Sequence, residues 1–175
     1  GVDIVQNCEV TRFLKEKGKI IGVETTQGKI MSKKIGLAVA GSTSVLAKAA
    51  GLGKLPIESH KLQAFVSEPI KPFLDTVVVY GYNHGHFYIS QSDKGGMVFG
   101  GNLDGYNSYA QKGNLPTYTD VMSAAMAIMP SLGRIKVLRQ WSGIMDMSMD
   151  GSPFICKTKI PGLYLNAGWC YGGFK

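Results

Sequence analysis

Lys34-Ile35-Gly36-Leu37-Ala38-Val39-Ala40-Gly41 is a near-continuous apolar run that stops at Gly41-Ser42-Thr43. A run without polar alternation predicts a strand buried on both faces, so the chain must supply cover on two sides. The pattern after it turns helical. Ser44 to Ala50 predicts a short helix, with Ser42 or Thr43 as N-cap and Gly51 closing it. A buried strand that ends at glycine before a helix can set backbone against a cofactor, and it also describes an ordinary strand-to-helix turn. Gly162-Leu163-Tyr164-Leu165-Asn166-Ala167 predicts a second short buried strand, which opens into Gly168-Trp169-Cys170-Tyr171-Gly172-Gly173-Phe174-Lys175. Glycine has no Cβ and tolerates positive φ, so backbone there can approach something flat or anionic. Lys175 adds a compact positive charge. A chain that stops on such a feature is expected to be a piece of a longer protein.

Ahead of the apolar run, Asp3–Phe13, Lys19–Thr26 and Lys29–Ile35 predict three consecutive strands. Lys17-Gly18 and Gln27-Gly28 supply their turns. Gly51 to Pro56 breaks the pattern and predicts a boundary between two lobes. Lys61–Glu68, Thr76–Tyr82, His86–Ser90 and Met97–Gly101 then predict an antiparallel meander, with Asp93-Lys94-Gly95-Gly96 as a turn. Pro116–Met129 predicts the best helix, with Val121, Ala124, Ala125, Ile128 and Met129 on one apolar face and Pro130 ending it. Ile135–Trp141 predicts a strand, followed by a flexible methionine-rich link. An Asp150-Gly151-Ser152-Pro153 turn leads into a short strand at Phe154-Ile155.

Net charge is +7, from 19 basic and 12 acidic residues. The lysines are scattered, without a basic helix or an aromatic-interleaved stripe, so they read as solvated surface and no nucleic-acid partner is expected. The cysteines, Cys8, Cys156 and Cys170, are far apart and suggest neither a metal site nor a disulfide framework. A reducing cytoplasm fits them best. No stretch reaches the roughly 18 apolar residues of a membrane span, so no membrane partner is expected. His84-Gly85-His86 puts two imidazoles two apart, but no third ligand accompanies them. No GxGxxG fingerprint occurs, so the chain does not carry a complete dinucleotide site.

Five segments taken in order carry a family resemblance. They are Gly1-Val2-Asp3-Ile4-Val5-Gln6-Asn7-Cys8-Glu9-Val10-Thr11, Glu58 to Pro72 (Glu-Ser-His-Lys-Leu-Gln-Ala-Phe-Val-Ser-Glu-Pro-Ile-Lys-Pro), Tyr88-Ile89-Ser90-Gln91-Ser92-Asp93-Lys94-Gly95, Arg139-Gln140-Trp141-Ser142-Gly143, and Gly168 to Lys175. Together they resemble the FAD-dependent amine oxidases of the sarcosine oxidase, glycine oxidase and D-amino-acid oxidase group. Within it, the similarity is strongest to the beta-subunit branch of heterotetrameric sarcosine oxidases. The resemblance implies an α+β fold: part of an FAD-binding, Rossmann-like domain of the glutathione-reductase type, plus an antiparallel-sheet substrate domain with a covering helix. The implied boundaries are 1–52 for the partial FAD-binding domain, 53–138 for the substrate domain and 139–175 for the return to the cofactor. A nucleotide fingerprint upstream and a helix after Lys175 are also implied.

By that resemblance, the backbone of Val10 meets the adenine, and Ala40 and Gly41 pass the diphosphate and ribose. Gly172, Gly173 and Phe174 form the loop under the isoalloxazine, with Lys175 beside it as the catalytic residue. Lys175 would temper negative charge on the reduced flavin and could hold the substrate carboxylate. Tyr88 falls in the substrate cage. Gly143 stands where monomeric relatives carry the cysteine that binds FAD covalently, so noncovalent FAD is expected. Met145 stands where those relatives have a tyrosine, so the substrate cage need not be theirs. The implied activity is oxidative demethylation of sarcosine or a similar secondary amine. The rivals are another amine, such as dimethylglycine, glycine or a D-amino acid, and a non-catalytic scaffold. The complete heterotetramer implies FMN, tetrahydrofolate and NAD as further cofactors, and alpha, gamma and delta subunits as partners.

Overall fold

The structure, a computed structural model, describes residues 1–82 and 85–172. Its strands are β1 (Val10–Glu16), β2 (Lys19–Thr25), β3 (Gly28–Met31), β4 (Ile35–Leu37), β5 (Ile57–Pro69), β6 (Val78–Tyr82), β7 (Gly85–Gln91), β8 (Gly96–Asn107), β9 (Val137–Ser148), β10 (Phe154–Lys157) and β11 (Leu163–Ala167). The helices are α1 (Thr43–Ala49) and α2 (Leu115–Ile128), with 3-10 turns at Ala40–Ser42, Pro130–Arg134 and Cys170–Gly172. The chain divides into two compact units, Gly1–Ser59 with Asp146–Lys175, and His60–Met145. The mixed sheets and few helices agree with the expected α+β class.

In the first unit, β1, β2 and β3 form an antiparallel sheet. Lys17 (φ 48) and Gly18 (φ 79) both take positive φ, the geometry that turns a right-twisted hairpin in two residues. A second sheet has the order β10-β11-β4, with β10 antiparallel to β11 and β11 parallel to β4. Between the parallel strands, Ile35, Gly36 and Leu37 face Leu163, Tyr164 and Leu165. Gly162 makes the entry to β11 possible. At φ +87 its backbone runs so close to the neighbouring chain that a Cβ would sit 2.9 Å from the Lys33 carbonyl oxygen. Phe13, Ile20, Leu37, Ala47, Leu163 and Leu165 are among the residues that form this unit's core.

The second unit carries a five-stranded sheet of order β6-β7-β8-β5-β9. Phe65, Phe87, Ile89, Met97 and Phe99 point from it toward α2 and are fully buried. Burying each such side chain contributes about 1.5–3 kcal/mol. Phe65 and Phe99 stack with ring centroids 5.5 Å apart, and Tyr118 of α2 meets Phe65 edge-on at the same separation. Helix α2 starts at Asn114, whose side chain accepts the Thr117 N–H, and has Pro in its first turn. It buries Val121, Ala124 and Ala125, with Ile128 and Met129 partly buried beside them, the face expected from the sequence.

Several extents differ from the sequence reading. The first strand begins at Val10, not Asp3, because residues 2–5 are exposed and no partner strand lies beside them among the described residues. The apolar run yields only the three residues of β4, of which Leu37 alone is buried; Gly36 is exposed and the chain turns into a 3-10 turn at Ala40. Ser42 precedes α1 but makes no side-chain capping bond; the Thr43 hydroxyl donates to the Ala40 carbonyl oxygen instead, at 2.6 Å. The methionine-rich link is not loose. It is the second half of β9, in which Met145, Asp146 and Ser148 are buried.

Candidate functional site

Parallel strands send their carboxyl ends to one edge of a sheet, and in α/β sheets that edge is where ligands bind. Here β4 leaves through Ala40-Gly41 and β11 leaves through Gly168 to Gly172. Both exits contain residues in the left-handed region: Ala40 at φ 43, Gly168 at φ 75 and Cys170 at φ 52. For Ala and Cys that conformation costs about 1–2 kcal/mol each, so the surrounding contacts must hold it. At the first exit, the Ala40 carbonyl oxygen accepts from Thr43, and the buried Ser59 hydroxyl donates to the Gly41 carbonyl oxygen at 2.6 Å.

The second exit is held from β9. The buried Asp146 carboxylate accepts the Gly168 N–H. The Ser148 N–H donates to Cys170 Sγ at 3.4 Å, and the Ser148 hydroxyl lies 3.5 Å from the same sulfur. Trp169 Nε1 donates to Asn166 Oδ1 at 2.7 Å, and the Gly172 N–H closes the turn on the Trp169 carbonyl oxygen at 2.8 Å. Burial, with a smaller contribution from neighbouring Cys170, pushes the Tyr171 phenol above its ordinary range.

Ala40 and Gly41 thus follow β4, and Gly168 to Gly172 follow β11, beyond the carboxyl ends of two adjacent parallel strands. Val10 lies in the same unit at the start of β1, half-buried against its core. Gly173, Phe174 and Lys175 lie outside the described residues, as does His84. Tyr88 and Gly143 belong to the other unit, on β7 and β9, with β8 and β5 between them. Three strand spacings of about 4.8 Å separate those strands, too far for the two residues to touch. Tyr88 is half-buried with its ring over Gly100, where an added Cβ would lie 2.6 Å from the phenol oxygen. Burial pushes the Tyr88 phenol above its ordinary range. Gly143 is exposed, and a Cβ built on it meets nothing within 4 Å. A groove of about 790 Å³ beside Lys17, Lys19, Met31 and Lys33 contains none of these residues. Among the described residues no cluster of three or more His, Cys, Asp or Glu is placed to hold a metal.

The sequence reading missed a buried polar cluster in the second unit. Asp104 accepts from Lys61 (3.0 Å), Gln63 (3.0 Å), Thr117 (2.7 Å) and Asn114 (2.9 Å). The Gln63 side-chain oxygen in turn accepts from the Asn114 N–H and from Gln140 Nε2, at 2.9 and 2.6 Å. Burial pushes the Asp104 carboxyl upward, but the bonds from Thr117, Lys61, Asn114 and Gln63 outweigh it and hold it below the usual carboxylate range. Strand alternation was the available signal: Lys61 and Gln63 share a face with core Phe65. All the groups in this cluster are satisfied by one another and by the start of α2, which marks it as a brace and not a ligand site.

The whole chain, residues 1–175, matches the family described as FAD dependent oxidoreductase, and the chain belongs to that family. It is 65% identical over 175 residues to the sarcosine oxidase subunit beta of Rhizobium meliloti (strain 1021), covering all of this chain and 41% of that protein. It is 51% identical to the sarcosine oxidase subunit beta of an Arthrobacter species, covering 42% of it. Thus the chain spans well under half the length of these relatives, each of which is named as one subunit of a larger enzyme. Among solved structures, L-proline dehydrogenase from P. horikoshii superposes with a TM-score of 0.85 at 29% identity, over 95% of this chain and 45% of that one. Glycine oxidase from Geobacillus kaustophilus superposes at 0.80 and 20% identity, over 95% and 44%, which speaks for the fold alone.

FAD is the cofactor of this family, and the strand exits fit it. A Cβ built on Gly172 meets nothing within 4 Å, so the backbone there is open to a flat ring. The left-handed residues Ala40 and Gly168 bend the main chain just beyond the ends of the two parallel strands. No described helix is long and apolar enough to cross a membrane.

Proposed function

We propose that the chain is the cofactor-facing and substrate-covering part of an FAD-dependent oxidoreductase that demethylates sarcosine or a related secondary amino acid. Residues 1–52 and 139–175 then belong with the cofactor, and 53–138 with the substrate. The observation that carries the reading is the pair of bent exits, Ala40-Gly41 and Gly168–Gly172, at the carboxyl ends of adjacent parallel strands. When bound, FAD supplies the hydride acceptor and the path to an electron acceptor. Val10 serves the adenine, Ala40 and Gly41 the diphosphate and ribose, and Gly172, Gly173 and Phe174 support the ring. Lys175 would stabilise negative charge on the bound cofactor and hold the substrate carboxylate. Tyr88 walls the amine. With glycine at position 143, no thiol is offered for a covalent link, so FAD is held without one.

The name subunit beta on the relatives supports assembly with alpha, gamma and delta subunits. The free cysteines support a reducing, cytoplasmic setting. Met145, buried where monomeric relatives have a tyrosine, favours a cage of different shape and keeps a second reading in view: another amine, such as dimethylglycine, glycine or a D-amino acid. The complete protein, purified with its native partners, tests both. The expected result is a yellow protein that releases intact FAD on acid denaturation and whose flavin is bleached anaerobically by sarcosine. Bleaching by a different amine alone selects the second reading. A colourless complete protein that takes up no FAD leaves only a scaffold.

A further inference from the structure

β9 ends beside the loop that the proposed function sets under the flavin, and two of its buried side chains grip that loop at successive points. Asp146 and Ser148 are two residues apart, so they project from the same face of the strand. Asp146 is 5% exposed and Ser148 6%. The first binds the Gly168 N–H, where the chain turns left-handed at φ 75. The second meets Cys170 Sγ through both its N–H and its hydroxyl, where the chain turns left-handed again at φ 52. Cys170 Sγ also lies 3.5 Å from the Gly168 carbonyl oxygen, which ties the two points together. A Cβ on Gly168 would press to 3.0 Å from Phe154 and 3.3 Å from Ser148. The loop therefore has little room to take another path. An ordinary turn does not need a buried carboxylate on one backbone N–H, since the lost hydration of that charge must be compensated by what it binds.

We infer that Asp146 and Ser148 are positioning residues for the flavin loop, with Asp146 acting as the hydrogen-bond acceptor that fixes Gly168 and hence the path to Gly172. This rests on the reading of that loop as the flavin support. Their bonds are to the loop, so they act through it. The two left-handed turns are thus held from β9 as well as by the loop's own Gly168 and Cys170.

The test uses the full-length protein with its native partners, stripped of FAD and titrated with it. Asp146→Ala is expected to weaken FAD binding about tenfold, equivalent to about 1.4 kcal/mol, and to shift the long-wavelength flavin absorption band. The FAD-free form is expected to melt lower, because the buried Gly168 N–H loses its acceptor, so the band shift is the readout that a merely structural role would not give. Asp146→Asn keeps an oxygen acceptor and is expected to stay within about threefold of wild type. Ser148→Ala keeps its N–H and removes only the hydroxyl, so about threefold weaker binding is expected; it also serves if Asp146→Ala does not fold. Wild-type affinity and an unshifted band in both Asp146→Ala and Ser148→Ala overturn the inference. So does an asparagine variant as impaired as the alanine one. Wild-type protein that binds no FAD at all would instead sink the functional reading beneath it.

Discussion

The Asp104 cluster and the exits of β4 and β11 use polar groups in opposite ways. Around Asp104, charges and amides are turned inward and satisfied by one another, and no buried side-chain nitrogen or oxygen among the described residues lacks a partner. At the strand exits, the chain holds Ala40 and Cys170 in strained conformations and leaves Gly172 facing open space. The first arrangement lowers the energy of the fold. The second raises it locally, which is how sites for ligands are commonly built. Substitutions around Asp104 should therefore fail in stability, and those at the exits in cofactor binding, with stability also lost where a left-handed turn is strained further.

The largest effect is expected at Asp104. Asp104→Ala would leave the Lys61 ammonium buried without its carboxylate, a loss of about 3–5 kcal/mol. Denaturant unfolding of the full-length protein measures it, and a loss below about 1 kcal/mol would show that the cluster is not a brace. The same contrast appears with pH. Asp104 is held below its usual carboxylate range in the fold, so the unfolded chain binds the proton first as pH falls. Its contribution is complete above the unfolded value of about 3.9 and is lost as pH drops below it toward the folded value. Melting temperature should thus fall more steeply below about pH 4 in wild type than in Asp104→Asn.

The glycines of the second exit sharpen the comparison. Gly168→Ala must place a Cβ at φ 75 and 3.0 Å from Phe154, so a destabilisation of about 1–2 kcal/mol is expected. Gly172→Ala meets nothing within 4 Å, so unfolding should change by less than about 0.5 kcal/mol while FAD affinity falls. Equal losses of stability in the two variants would erase the distinction between a shaped turn and an open cradle.

Much of the fold is legible in the periodicity of the sequence. The hairpin turn at Lys17-Gly18, the consecutive strands β6-β7-β8 and the apolar face of α2 are legible there. The second hairpin instead turns at Thr26-Gln27, with Gly28 already in β3, and β5 leaves the expected four-strand meander to pair with β8. The long-range facts do not. β9 runs on through Met145 to Ser148 because Asp146 and Ser148 have partners twenty-two residues away, and methionine, aspartate and serine carry no strand signal of their own. Lys61 reads as a surface lysine until β8 brings Asp104 beside it. The apolar run at Lys34–Gly41 promises a longer strand than β4. Its exit instead obeys the Thr43 hydroxyl and the Ser59 hydroxyl, the latter from a segment beyond the helix. The segments resembling known amine oxidases carry what pattern cannot, namely an expectation of which residues serve cofactor and substrate.

The smallest effect is expected at Tyr88, which packs in the sheet and for which a substrate role is proposed. Its ring packs over Gly100, which makes it part of the sheet, while its phenol is the group we propose to meet the amine. Burial holds the phenol protonated beyond its ordinary range, so across working pH it is a neutral donor and contributes no ionisation of its own. Tyr88→Phe keeps the packing and removes one hydroxyl. If that hydroxyl meets substrate, KM for the amine should rise about fivefold to tenfold, the worth of one hydrogen bond of about 1–1.4 kcal/mol. FAD affinity and both limbs of the kcat pH profile should stay where they are. A KM unchanged within about twofold would assign Tyr88 to packing alone. Loss of an alkaline limb would mean that the phenol titrates in the working range, against the direction its burial dictates.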